Sequence, residues 1–241
     1  TRWKELGKIN GKEYIVKTIV TTETIKTIAE RNGVEIYDVY TGFKWIANVM
    51  RENEGKKNYI GGGEESYGFL CEDFVRDKDA VSACVILAEI AAWAKDQGLS
   101  LYQLLQKIYV EYGFSKEKGI SVVKKGKSGA EEIEAMMKKF RENPLTEIAG
   151  SKVTYFYDYS TLKGKDYAEN ETVTLDMPTT SNVLQYFTED NTKVSIRPSG
   201  TEPKIKFYCE VHSKVKSIDE LPEAEKAAEE KINQIKASLG I

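Results

Sequence analysis

The run Ser-Ile-Arg-Pro-Ser-Gly-Thr-Glu-Pro-Lys-Ile-Lys-Phe-Tyr, from Ser195 to Tyr208, gathers an arginine, two hydroxyls and a glycine in one turn, with two lysines close behind. Those residue types are the chemistry of a phosphate site. Arg197 offers a planar fork of donors that matches phosphate oxygens in pairs. Ser199 and Thr201 add short hydroxyl donors. Gly200 lets an anion approach bare backbone N–H groups. Pro198 and Pro203 stiffen the turn on either side, and Lys206 adds charge from the strand that follows. The competing reading is an ordinary hairpin turn with a solvated arginine and an edge lysine.

A second loop, Gly61 to Gly68 (Gly-Gly-Gly-Glu-Glu-Ser-Tyr-Gly), follows a strand-like run. Glycine-rich loops after strands commonly cradle phosphate. Here Glu64 and Glu65 would set two negative charges beside a dianion, which is unfavourable. Paired acceptors with Ser66 suit a polyol instead, since one carboxylate can accept from two neighbouring hydroxyls. The alternative is a glycine-rich turn with solvated glutamates. One loop for phosphate and one for hydroxyls together point to a sugar phosphate.

The elements that must position these loops fall into two groups. From the start, the order is strand (Tyr14 to Val20), helix (Thr22 to about Arg31, capped by Thr21), strand (Val34 to Val39), helix (Phe43 to Asn53) and a short strand from Asn58 into the glycines. This alternation predicts an α/β domain of three-layer type with a mixed, largely parallel sheet over 1–114. Two helices follow, Asp79 to about Asp96 and one from Ser100 with a capping box to Gln103. The apolar stretch Ala80 to Ala94 reads as a buried helix, too short to span a bilayer. Residues 115–241 read β-α-β-β-β-α, a smaller antiparallel sheet with helices on one face. Its hairpin signal is Asp190-Asn191, and 159–178 is an irregular excursion or hairpin. The overall class is therefore α/β followed by α+β.

Composition narrows the function. With 241 residues and 41% hydrophobic, the chain builds real cores. Lysine plus arginine number 35 against 38 acidic residues, a net charge of −3 with both signs spread along the chain. No basic face tracks a polyanion, so neither nucleic acid nor membrane is expected as a partner. Cys71, Cys84 and Cys209 show no metal or disulfide spacing, which fits a reducing, cytoplasmic setting. His212 is the sole histidine; a surface position is expected for it, and triads or metal sites needing several histidines are excluded.

The pair Gly63 to Gly68 and Arg197 to Lys206, in this order and separation, resembles the α-D-phosphohexomutase superfamily, the phosphoglucomutases and phosphomannomutases, over its C-terminal half. Thr41-Gly-Phe-Lys44 and Arg76-Asp-Lys-Asp79 resemble two further motifs of that family. The resemblance implies that Glu64 and Ser66 bind adjacent sugar hydroxyls, that Lys44 and Lys78 approach the substrate, and that Arg197, Ser199, Gly200 and Thr201, with Lys206, hold the phosphate that is not reacting. For each lysine a solvated surface position is the alternative. Asp77 and Asp79 flank Lys78 with no third ligand, so no metal is expected there.

The resemblance further implies a parent enzyme that interconverts hexose 1-phosphate and hexose 6-phosphate through a hexose 1,6-bisphosphate and a phosphoserine, with Mg²⁺ as cofactor. No serine in this sequence is followed by His-Asn, and no aspartate triplet of the kind that binds Mg²⁺ is present. The chain is thus expected to be a C-terminal piece, a partner of absent N-terminal domains, inactive alone and binding no metal itself. The Glu-Glu-Ser form resembles the glucose-preferring branch. A phosphopentomutase, or a non-catalytic module that binds sugar phosphates, is the alternative.

Overall fold

The computed structural model describes residues 2–124, 126–200 and 202–241. They form two units, Thr1–Gly113 and Phe114–Ile241, each built on its own sheet.

The first unit runs α1 (Arg2–Glu5), β1 (Glu13–Thr18), α2 (Thr24–Asn32), β2 (Glu35–Val39), α3 (Phe43–Asn53), β3 (Asn58–Gly63), β4 (Phe69–Cys71), α4 (Ala80–Asp96) and α5 (Leu101–Tyr112). Its sheet order is β2-β1-β3-β4. β1 pairs in parallel with β2 and β3, and β4 folds back antiparallel on β3. Helical connections are what parallel pairing requires. The core joins Tyr14, Val16, Val39, Tyr59 and Leu70 of the sheet to Phe43, Ile46 and Met50 of α3. The apolar positions of α3 therefore share the face that meets the sheet. Gly33 ends α2 at φ 71°, its N–H bonding back to Ala29 and Glu30. Ser100 and Gln103 form the capping box of α5.

Two local expectations change. Thr21 does not cap α2: Glu23 holds that place without a side-chain bond. The Thr21 hydroxyl is drawn instead to Thr18, at 2.9 Å, and to Glu65, at 3.3 Å. The apolar stretch Ala80 to Ala94 does form a helix, but not a buried one. Of α4 only Ala94 is buried, while Val81 is 74% exposed and Val85 and Leu87 are 56% exposed. The stretch is apolar around its whole circumference, and no arrangement against β4 and α5 alone can cover every side of such a helix.

The second unit comprises β5 (Phe114–Val123), α6 (Gly126–Glu142), β6 (Glu147–Ile148), β7 (Ser151–Asp158), β8 (Lys163–Asp166), β9 (Glu171–Thr174), β10 (Leu184–Thr188), β11 (Lys193–Pro198), β12 (Lys204–Ser213), a 3-10 turn (Ile218–Glu220) and α7 (Leu221–Leu239). The strands run β5-β12-β11-β10-β7-β8-β9, antiparallel throughout, with β6 paired to β7. The α/β and α+β classes both hold, with more strands than β-α-β-β-β-α supplies. The excursion after Tyr159 is the hairpin β8–β9, laid on the edge of β7. Its strands alternate charged and polar residues, so the apolar pattern that announces a strand is absent there. Asn191 makes the β10–β11 turn at φ 62°. Ile196 and Phe207 stand opposite one another in the ladder, and the Phe207 ring meets Phe140 of α6 edge-on at 6.3 Å.

One pair of strands in this unit is joined by buried charge. Lys193 and Glu210 face each other across β11 and β12 with 2.9 Å between Nζ and Oε2, both almost fully buried. His212, expected on the surface, is half-buried, with Nε2 at 2.7 Å from Glu210 Oε1. Burial alone would raise the Glu210 carboxyl pKa. The hydrogen bond from His212 and the charge of Lys193 outweigh that and hold it at about 2, below the ordinary 4.5. No helix among the described residues is long and apolar enough to cross a membrane.

Replacing Glu210 by Gln removes the negative charge that faces buried Lys193 and should cost about 3 kcal/mol. A carboxyl with a depressed folded pKa stabilises above its unfolded value and loses that contribution as pH falls. The difference between parent and Glu210→Gln in urea unfolding should thus be full above pH 4.5 and shrink as pH approaches 2. A difference independent of pH would refute the pairing.

Candidate functional site

The hydroxyl-binding candidate begins where β3 ends. Glu64 follows the last glycine of that strand, and its backbone N–H donates to Gly68 O at 2.7 Å, closing the loop on itself. Its side chain turns back to the start of α3, where Oε1 accepts the Gly42 N–H at 2.6 Å. The N-terminus of an eleven-residue helix favours a carboxylate at this place. Oε2 lies against Gly68: a Cβ there would stand 3.0 Å from it. Ser66 is exposed and donates to Glu65 Oε1 at 3.0 Å. Tyr67 occupies the tip at φ 65°.

Glu65 does something the sequence did not announce. Its Oε2 accepts from Thr18 and Thr21, each at 3.3 Å, so the carboxylate ties the loop to the end of β1. Glu64 faces the helix start and Glu65 faces the strand end. The two acids are not equivalent acceptors, and only Glu64 sits beside a lysine.

That lysine is Lys78. Its stem crosses Gly68 so closely that a Cβ there would come within 2.9 Å of Lys78 Cδ. Its Nζ lies 5.2 Å from the centre of the Phe43 ring and 2.7 Å from Asp77 Oδ1. The Asp77 carboxyl is held below its usual range by the side-chain and backbone hydrogen bonds of Lys78. Asp79 is also spoken for. It caps α4 through the N–H groups of Val81 and Ser82, and the Ser82 hydrogen bonds depress its pKa. Lys44 is exposed in the first turn of α3, with Nζ 5.0 Å from the Trp45 ring centre. The structure thus gathers Glu64, Gly68, Lys78, Gly42 and Phe43 into one cluster, with Lys44 one residue beyond.

The phosphate-binding candidate lies in the second unit. Arg197 is near the end of β11, directly opposite Lys206 of β12. Like charges placed opposite one another in a ladder repel. Among the described residues Arg197 forms neither a side-chain hydrogen bond nor an ion pair. Ser199 closes the turn: its N–H donates to Lys204 O at 2.8 Å and its Oγ accepts from Glu202 N at 3.3 Å. Gly200 has no neighbouring atom within 4 Å of where a Cβ would stand, so the crest of the turn is open. Glu202 pairs with Lys204, which lowers its pKa. Thr201 lies outside the described residues.

Residues that the sequence reading passed over are structural partners: Gly42, Gly68, Thr18 and Thr21. Thr21 carried a signal, a hydroxyl just before a helix, but that signal reads equally as a cap. Only the fold shows that it and Thr18 stand beside Glu65.

Residues 1–112 match the family model of phosphoglucomutase/phosphomannomutase alpha/beta/alpha domain III, and residues 121–228 match the model of the C-terminal domain. The phosphoglucomutase of Staphylococcus haemolyticus is 35% identical over 208 residues, 86% of this chain and 38% of that protein. That of a Staphylococcus aureus strain is 40% identical over 194 residues, 80% of this chain and 35% of the relative. The chain therefore spans little more than a third of the length of these curated relatives. Of solved structures, the open form of parafusin from Paramecium aligns with a TM-score of 0.56 at 18% identity, over 91% of this chain and 37% of that one. A phosphoglucomutase/phosphomannomutase family protein from Burkholderia thailandensis aligns with a TM-score of 0.56 at 16% identity, over 98% and 40%. At such identities the likeness is one of fold.

Two glycines of the loop separate stability from site geometry. A Cβ at Gly62 would stand 2.3 Å from Val16 O, a backbone atom of the paired strand. Gly62→Ala should lower stability by about 1–3 kcal/mol. At Gly68 the obstructing atoms belong to the Lys78 stem and the Glu64 carboxylate, side chains with several rotatable bonds that can move aside. Gly68→Ala should keep stability within about 0.5 kcal/mol while shifting the Gly42 amide resonance as Glu64 is displaced. Urea midpoints and a ¹H–¹⁵N spectrum check both, and an unmoved Gly42 resonance would contradict the contact.

Proposed function

The chain belongs to the phosphoglucomutase/phosphomannomutase family, and from that premise we propose that it supplies the sugar- and phosphate-binding part of a hexose phosphate mutase. Each unit contributes one kind of contact. In the first, Glu64 and Ser66 accept and donate hydrogen bonds to neighbouring hydroxyls of the hexose, while Lys78 and Lys44 bring positive charge to the same place. In the second, Arg197, Ser199, Gly200, Thr201 and Lys206 hold the phosphate that is not being transferred. The observation that carries this reading is that the Glu64 carboxylate and the stem of Lys78 converge on Gly68, with the Lys78 ammonium half-exposed beside Asp77.

The activity proposed for the whole protein is interconversion of hexose 1-phosphate and hexose 6-phosphate through a hexose 1,6-bisphosphate, with transfer through a phosphoserine. Positioning and electrostatic stabilisation dominate such transfers, and positioning is what this chain's residues provide. Mg²⁺ is proposed as the parent enzyme's cofactor, where it would neutralise developing charge on the transferred group. Among the described residues no three or more His, Cys, Asp or Glu converge into a metal site, and Asp77 and Asp79 are each engaged elsewhere. These residues do not fit the ion, and we assign them no metal ligand.

Arg197→Ala should weaken binding of glucose 1-phosphate, glucose 6-phosphate and mannose 1-phosphate alike, by roughly 10- to 100-fold, the loss typical of charge-assisted hydrogen bonds. Glu64→Gln should instead change the ratio between glucose and mannose phosphates. Calorimetric titration of the three ligands checks both. A changed sugar preference in Arg197→Ala, or an unchanged one in Glu64→Gln, would overturn the division of roles. The chain alone, given Mg²⁺ and glucose 1,6-bisphosphate, should leave glucose 1-phosphate unconverted.

A further inference from the structure

On the outward face of α3, Lys44 and Arg51 form no ion pair among the described residues. Lys44, Asn48 and Arg51 recur at spacings of four and three, which places them on one stripe of the helix. With Ala47, and with Arg76 and Asp77 from the segment between β4 and α4, they line a hollow of about 370 Å³. Lys44 Nζ lies 5.0 Å from the centre of the Trp45 ring. The Arg51 side chain donates from Nη2 to Asn48 Oδ1 at 2.9 Å. Asn48 Nδ2 in turn donates to Glu52 Oε1 at 2.7 Å. Arg76 also pairs with Glu54 at 2.8 Å and Asp77 with Lys78 at 2.7 Å. Among the residues that line the hollow, the three cations Lys44, Arg51 and Arg76 exceed the one carboxylate, Asp77, by two, and Glu52 lies outside the lining.

We propose that this hollow is a second phosphate-binding site, which takes a phosphate or phosphomonoester dianion. An excess of two positive charges in the lining matches a dianion better than a carboxylate monoanion. The Arg51 fork, oriented by Asn48, suits two oxygens of a tetrahedral anion, and Lys44 adds a point charge. The volume lies within the range of small-ligand sites, about 300–1,000 Å³. The hollow shares Lys44 with the proposed sugar site but includes none of Glu64, Ser66, Lys78 or Arg197. It therefore stands whether or not the proposed mutase function does.

The test is an NMR titration of the whole chain with inorganic phosphate, then with glucose 6-phosphate, at ionic strength held constant with sodium chloride. The Asn48 side-chain amide and Arg51 Nε–H should shift saturably. Arg51→Ala, followed at Asn48, and Asn48→Asp, followed at Arg51, should each raise the dissociation constant roughly tenfold. Arg197→Ala should leave the midpoint unchanged. Tighter binding of glucose 6-phosphate than of phosphate identifies a phosphomonoester site, and equal binding a site for the free ion; both support the proposal. Shifts that do not saturate, that persist at full affinity in Arg51→Ala and Asn48→Asp, or that vanish in Arg197→Ala would overturn it.

Discussion

The glycines that end β3 leave little room for a side chain against β1, β4 and the loop that follows, and the site in the first unit depends on that. A Cβ would stand 3.3 Å from Leu70 O at Gly61, 2.3 Å from Val16 O at Gly62 and 2.5 Å from Gly68 O at Gly63. With bare backbone at all three, β4 closes on β3 and the chain returns tightly enough for Glu64 N–H to reach Gly68 O. That return sets the Glu64 carboxylate against the Gly42 amide, and Gly42 opens α3. The strand end thus fixes the helix start, and Lys44 and Phe43 follow from it. The glycines act here as a steric permission, and the chemistry comes from the acids that this permission places.

The second unit reaches a fixed turn by a different route. The turn after β11 carries Arg197 opposite Lys206, an arrangement that repulsion disfavours. Register is held by pairs further along the same two strands. A slip by one residue would break the facing of Ile196 with Phe207 and separate the buried charges of Lys193 and Glu210. Desolvating that pair is costly, and its attraction together with the His212 hydrogen bond offsets the cost. The ladder can therefore tolerate like charges at the open end because its buried end admits only one alignment.

Much of this was legible before any coordinates. The boundaries of α3 were readable from its apolar period, the end of α2 from Gly33, and the start of α5 from Ser100 and Gln103, because each signal acts within one or two turns of chain. What was not legible depends on distant partners. The burial of α4 was misjudged because apolar content measures a tendency to be covered and says nothing of what covers it. The sequence leaves 159–178 open between an excursion and a hairpin and does not delimit its strands β8 and β9, because they are set by pairing with β7 and by Tyr157 lying over Gly164, where a Cβ would meet the ring at 2.5 Å. At the candidate site, the sequence pointed to Glu64 and Glu65 as an equal pair. The fold breaks that symmetry, since Thr18 and Thr21 stand some forty-five residues earlier in the chain and engage only Glu65.

The broken symmetry bears on how the proposed site would discriminate among ligands. Contacts to phosphate are common to every hexose phosphate, so they raise affinity without separating one sugar from another. Discrimination must come from groups that meet hydroxyls, and it is large only when a buried polar group is left unpaired by the wrong sugar. Glu64 has one carboxylate oxygen held by the Gly42 N–H and the other set against Gly68. An acceptor held in that way gives up a hydrogen bond when it moves to follow a displaced hydroxyl. Glu65 is exposed and tethered by two bonds of 3.3 Å, so it can yield at little cost. On the proposed reading, preference between epimeric sugars therefore rests on the bond that holds Glu64 to Gly42, and the bare backbone at Gly68 leaves the carboxylate its place.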